Sequence, residues 1–175
     1  MKDSGVTLIE LLVVVAVSAV LIVAMGFSYE GWMGNYRIES QTKELYFDLT
    51  DTRASARSHN RIYWVQLGDQ QYTITEDTNP VPDGNGVLEP ATDRRVLQKR
   101  YEYGFELEDL DGVGMPQTIT FNTRGLISWV PSPPDDEIRF RFVNTRDPDF
   151  DCIVIEPSRI WMGEYNTDTL VCERR

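Results

Sequence analysis

The 175-residue sequence predicts an α+β fold. A long N-terminal helix, membrane-spanning in its first half and amphipathic in its second, packs on an antiparallel β-sheet domain. Three observations predict it. An apolar run fills residues 11–27, with Ser18 as its one polar side chain. Leu45, Leu49, Thr52 and Ala56 then recur at steps of four and three, which lines one helix face. After residue 58 come eight or nine short strand-like segments separated by turn residues.

The first element is "GVTLIELLVVVAVSAVLIVAMG", residues 5–26. At 1.5 Å per residue the apolar run is roughly 25 Å long, and residues 6–9 extend it to about 30 Å, enough to cross hydrocarbon. The transmembrane part is therefore set at residues 6–27. Glu10 interrupts it, and an ionised carboxylate inside a membrane costs about 2.5–3.5 kcal/mol on insertion scales. A removed secretory signal fits poorly, because the front is only "MKDSG", Lys2 is offset by Asp3, and Glu10 breaks the apolar core. A passive anchor explains the length and leaves Glu10 unexplained. Cleavage after Gly5 explains both. Val6 then carries a free amine, and Glu10 lies one helical turn away. In a helical array, Glu10 of one chain neutralises the amine of its neighbour. This divides the chain into a leader (1–5), a helix (6–58) and a β-rich globular domain (59–175).

The helix continues beyond the apolar run. Ile38 and Tyr46 flank the stripe, while Glu39, Lys43, Asp48, Asp51 and Arg53 fall mostly elsewhere. The first proline is Pro80, so a helix of about 80 Å is expected. Tyr29, Trp32, Met33 and Tyr36 read as an interfacial aromatic belt. Gly26, Gly31 and Gly34 allow either local unwinding or close packing of small residues. "HNR" at 59–61 closes the helix, and His59, the single histidine, reads as a capping or surface residue.

Strands are expected at 62–67 and 71–75, joined as a hairpin, then at 95–107, 117–122, 125–130, 137–143, 151–157, 158–165 and 169–173. Residues 76–93, "EDTNPVPDGNGVLEPATD", read as a polar, turn-rich loop.

The chemistry expected of the domain is limited. With 28 acidic and 17 basic residues the net charge is -11, which argues against nucleic acid as a general partner and suits a dispersed surface. Arg139, Arg141, Arg146, Arg159, Arg174 and Arg175 are interleaved with acids. There is no Cys-x-x-Cys, no His-x-x-His and no phosphate-cradling glycine loop, so neither an enzyme nor a cofactor is expected. The acidic loops 77–86, 108–114 and 147–151 lack the spacing of a calcium loop. Asp109 and Asp111 are the best of the weak calcium candidates. Cys152 and Cys172 are two buried thiols in a reducing compartment, or a disulfide if the domain is exported.

The N-terminal stretch resembles the class III signal of type IV pilins and pseudopilins. Gly5, Thr7, Leu8, Ile9, Glu10, Leu11 and Leu12 carry the match, while Val6 stands where the family usually has phenylalanine. The resemblance implies a prepilin peptidase that cuts after Gly5 and methylates Val6. It implies partners among other pilins or pseudopilins, and the secretion or pilus assembly machinery. It also implies a single-pass inner-membrane location, with a cytoplasmic leader, a periplasmic domain and incorporation into a pilus-like filament. Further segments resemble the GspH/FimT group: Arg53, Ala56, Asn60 and Arg61 at the helix end; Ile119, Phe121 and Gly125 in a strand-turn-strand; Cys152, Val154, Ile155, Arg159 and Ile160 near the close, where Ser158 replaces a usual glycine. The implied function is a minor pseudopilin of type II secretion. The alternatives are a minor pilin of a type IV pilus, FimT/FimU-like with a role in DNA uptake, and a membrane-anchored periplasmic binding module.

Overall fold

The computed structural model describes residues 7–81, 84–114, 117–130 and 137–175, and the side chains of residues 24–30 lie outside that description. One α-helix, α1 (Leu8–His59), runs unbroken for 52 residues, about 78 Å. Ten strands follow: β1 (Tyr63–Leu67), β2 (Gln71–Glu76), β3 (Arg94–Arg100), β4 (Leu107–Asp109), β5 (Gln117–Phe121), β6 (Ile127–Val130), β7 (Ile138–Phe142), β8 (Cys152–Ile155), β9 (Ile160–Asn166) and β10 (Val171–Arg174). They form two five-stranded sheets, ordered β3-β2-β1-β5-β6 and β10-β9-β8-β7-β4, and every pairing is antiparallel.

The domain half of α1 behaves as its periodicity requires. Ile38, Leu45, Leu49, Thr52 and Ala56 are all buried. Tyr63, Val65 and Leu67 of β1 meet them from the first sheet, and Phe140, Phe142, Ile153 and Ile155 from the second. Period-two alternation in β5 and β7 puts one face of each strand into this core, and β1 buries Trp64 along with Tyr63, Val65 and Leu67. The helix stops at Asn60, which adopts the left-handed conformation (φ 55°, ψ 43°) and donates its N–H to the Ala56 carbonyl.

Two expectations need correction. The strand expected over 95–107 is broken. After β3 the chain makes a 3₁₀ turn at Glu102–Gly104 and re-enters as β4 in the other sheet. Tyr103 and Gly104 both take positive φ, which no continuous strand accommodates, and Gly104 is the residue that permits the reversal. The membrane-spanning assignment of the first half is not supported either. Among the described residues no helix is long and apolar enough to cross a membrane.

The loop at 77–93 is built around two buried carboxylates. Asp93 accepts the backbone N–H groups of Thr78 (3.1 Å), Asn79 (3.2 Å) and Glu89 (2.7 Å). Asp77 accepts those of Asn85 (3.1 Å) and Gly86 (2.7 Å). A segment rich in turn residues thereby satisfies its backbone without regular structure.

Candidate functional site

The N-terminus of α1 is a capping box. Glu10 N–H donates to Thr7 Oγ1 at 3.3 Å, while the N–H and hydroxyl of Thr7 both donate to Glu10 Oε2 at 2.8 Å. The spacing Thr-x-x-Glu in "TLIE" is the sequence signature of this motif. Sequence reasoning matched Thr7 but did not assign it that role. The carboxylate sits where the helix dipole favours negative charge. Gly5 and Val6 lie outside the described residues.

Around and beyond Glu10 the helix presents apolar side chains on all sides. Leu8, Ile9, Leu11, Leu12, Val13, Val14 and Val15 are exposed, as are Val20, Leu21, Ile22 and Val23. Ile9, Glu10, Val13 and Val14 form one open face of this helix. So large an apolar surface calls for lipid or other apolar helices to cover it. Further along, Trp32 stacks on Tyr36 with centroids 5.9 Å apart, and both are exposed. Gly34 is a site of close approach: a side chain there would overlap the Arg146 guanidinium, whose Nη1 donates to the Gly31 carbonyl.

At the other end of the helix, Arg53 Nε donates to the Gly125 carbonyl at 2.8 Å. Gly125 sits in the β5–β6 turn at φ +74°, and a Cβ there would meet the Arg57 side chain. Ile127 N–H then donates to the Pro157 carbonyl at 2.9 Å. Three segments remote in sequence meet here, at the helix end, the β5–β6 turn and the β8–β9 turn.

The remaining candidates have local partners. Asp109 accepts the backbone N–H groups of Asp111 (3.0 Å) and Gly114 (2.7 Å). Asp111 pairs with Arg139, Nη2 to Oδ1 2.5 Å. The two carboxylates thus close their own turn and tie β7 to it, and no group of three potential metal ligands occurs among the described residues. Arg141 pairs with Glu108 and lies over the Tyr165 ring at 4.4 Å. Arg159 pairs with Glu156, and Arg175 with Glu164. His59 Nδ1 lies 2.8 Å from the Tyr63 hydroxyl, at the end of the helix. Cys152 and Cys172 form a disulfide, Cα atoms 6.2 Å apart. It joins β8 to β10 beside Gly163 of β9, where a Cβ would overlap the Glu173 carbonyl.

Comparison with known proteins bears on the N-terminus. Residues 1–26 match the prokaryotic N-terminal methylation motif. No curated protein and no solved structure matches the chain. The matched residues contain the Thr7–Glu10 box and the exposed apolar run, so this N-terminal segment is similar to that of type IV pilin-like proteins.

Proposed function

We propose that this chain is a structural, non-enzymatic subunit of a pilus-like filament, and specifically a minor pseudopilin of type II secretion in the GspH/FimT group. The observation that carries the reading is Glu10. It is a carboxylate held at a helix start, inside a methylation motif, and followed by a helix that is apolar on every face. In this reading a prepilin peptidase cuts after Gly5 and methylates the new Val6 amine. The exposed apolar helix anchors the chain at the inner membrane, with residues 59–175 on the periplasmic side. On assembly, neighbouring helices replace lipid around residues 8–23. Glu10 then meets a neighbour's amine, a charge pair that is strong in an apolar surround and sets the register. The finer group assignment is supported by the junction at Gly125, where residues of two resembling segments, Arg53 and Gly125, bond directly.

Intact-mass measurement of the mature protein tests the processing. The expected mass begins at Val6 and carries one methyl group; retention of Met1, or a cut near residue 26, overturns it. Glu10→Ala tests assembly: it should abolish incorporation into filaments while the chain stays anchored. Unchanged incorporation would favour the passive-anchor, binding-module reading.

A further inference from the structure

The free edge of the first sheet bears on a different partner. β3 pairs with β2 on one side only. Tyr101, just after the strand, donates its N–H to the Gln70 carbonyl at 3.0 Å. Alternation along an antiparallel ladder then turns the backbone groups of Leu97 and Lys99 toward β2 and those of Gln98 and Arg100 away from it. The edge is also fixed at both ends. Ahead of it, the Asp93 carboxylate gathers three backbone N–H groups, and Arg94 N–H donates to Thr78 Oγ1 at 3.0 Å. Behind it, Tyr101 is buried, stacked on Tyr72 and edge-on to Phe142. An edge held this way loses little freedom when another strand pairs with it.

Charge selects the occupant. Residues 94–100 read "RRVLQKR", four cations and no acid, in a chain of net charge -11. Arg94 is directed at Glu76, and Lys99 at Glu44 and Asp48. Arg95 and Arg100 are exposed, and neither has an acidic partner among the described residues. A second copy of β3 laid antiparallel here would set cations against cations, which is destabilising. A basic edge thus repels its own kind and neutral strands gain little from it, whereas an acidic strand gains both ladder bonds and charge. The bulge that leaves Val96 without a partner between Ile74 and Thr75 bends the edge, so residues 97–100 offer the ladder bonds, with the exposed charge of Arg100 inside that length and that of Arg95 just ahead of it. We propose that residues 97–100 of β3 are a docking edge for an extended acidic segment of a partner protein, which adds a sixth strand to the first sheet.

The test uses the full chain in detergent micelles and two labelled peptides, one alternating Val and Glu, the other Val and Lys. Fluorescence anisotropy should show binding of the glutamate peptide, weakened by salt, and none of the lysine peptide. Arg100→Glu should lower the affinity by about tenfold, the order expected for reversing one exposed charge at a contact. N-methylating alternate amides along one edge of the glutamate peptide should abolish binding, while methylating the other edge spares it. This arm changes no residue of the protein, so misfolding cannot produce its result. Absence of binding by the glutamate peptide, equal binding of both peptides, or indifference to N-methylation on either edge would each overturn the proposal. Glu10→Ala should leave peptide binding unchanged, so this result stands or falls apart from the filament reading.

Discussion

Arg53 and Gly125 are 72 positions apart in sequence, yet Arg53 Nε donates to the Gly125 carbonyl at 2.8 Å. The bond fastens the last turns of α1 to the β5–β6 turn. It holds because Gly125 takes φ +74° and leaves its Cβ position to the Arg57 side chain. Gly125→Ala should therefore destabilise the domain by about 1–2 kcal/mol through left-handed strain, with an added cost from displacing Arg57. Gly125→Asn keeps the crowding but tolerates the backbone better, so it should lie between the two. Urea midpoints of the three proteins measure the order, and equal midpoints would refute it.

Tyrosine ionisation should open the fold at high pH. Burial, then the charge of Glu76, pushes the Tyr63 hydroxyl up from 10.0 to about 12. Burial and the bond to Asp48 push Tyr72 higher still, and burial raises Tyr101. A folded-state pKa above the unfolded value means the fold favours the protonated phenol. The stability it contributes is intact below pH 10 and is lost as pH rises through about 12 and beyond. Base titration followed by tyrosinate absorbance should show ionisation coinciding with unfolding, and Tyr63→Phe should flatten the onset. Smooth ionisation near pH 10 without unfolding would contradict this.

Lys99 links sheet to helix from β3, with Nζ 2.6 Å from Asp48 and 2.8 Å from Glu44. Burial works against its charge, but hydrogen bonds to Asp48 and Glu44 outweigh that and raise its pKa. Tyr72 adds a hydroxyl bond to Asp48. The Lys99 side chain is one-third exposed, so solvent screens the pair and Lys99→Met should cost only about 1 kcal/mol. Tyr72→Phe should cost a similar amount. The double mutant should show coupling, because both side chains share one carboxylate. Thermal melts of the four proteins test this, and strict additivity would argue against a shared network.

The disulfide and Gly163 act on the same edge of the second sheet. Cys152→Ser with Cys172→Ser should cost about 3 kcal/mol for a loop of this size. Gly163→Ala should loosen β10 even with the disulfide intact, because its methyl group falls on the Glu173 carbonyl. Amide exchange should rise in residues 171–174 in both variants. Exchange confined to the β9–β10 turn in Gly163→Ala would rule out that clash.

Asp93→Ala should release the loop at 77–93. Three backbone N–H groups lose their acceptor at once, at a cost of about 3 kcal/mol or more. Limited proteolysis should then cut within this loop, and the wild-type chain should resist. Equal resistance would mean that the carboxylate does not hold the loop.

How much was legible varies with the range of the signal. The helix stripe from Ile38 to Ala56 was readable because helical periodicity is a property of neighbours three and four residues apart. Thr7 was readable in principle, since Thr-x-x-Glu is a local signature, and it went unassigned because the apolar run dominated the reading of that segment. The break in residues 95–107 had one local sign, Gly104. The apolar and aromatic residues around it matched a strand well enough to mask it.

The sequence by itself determined the long helix, the place of Glu10 at its start, the apolar run and the strand-turn rhythm of the domain, because each depends on side chains within a turn or a pleat of one another. Tertiary structure alone decided that the strands divide into two sheets, that β3 is left as a basic free edge, that Cys152 meets Cys172, and that Arg53 reaches Gly125. These follow from burying the helix stripe against both sheets at once. That burial energy exists only when distant segments come together, so no local pattern records it.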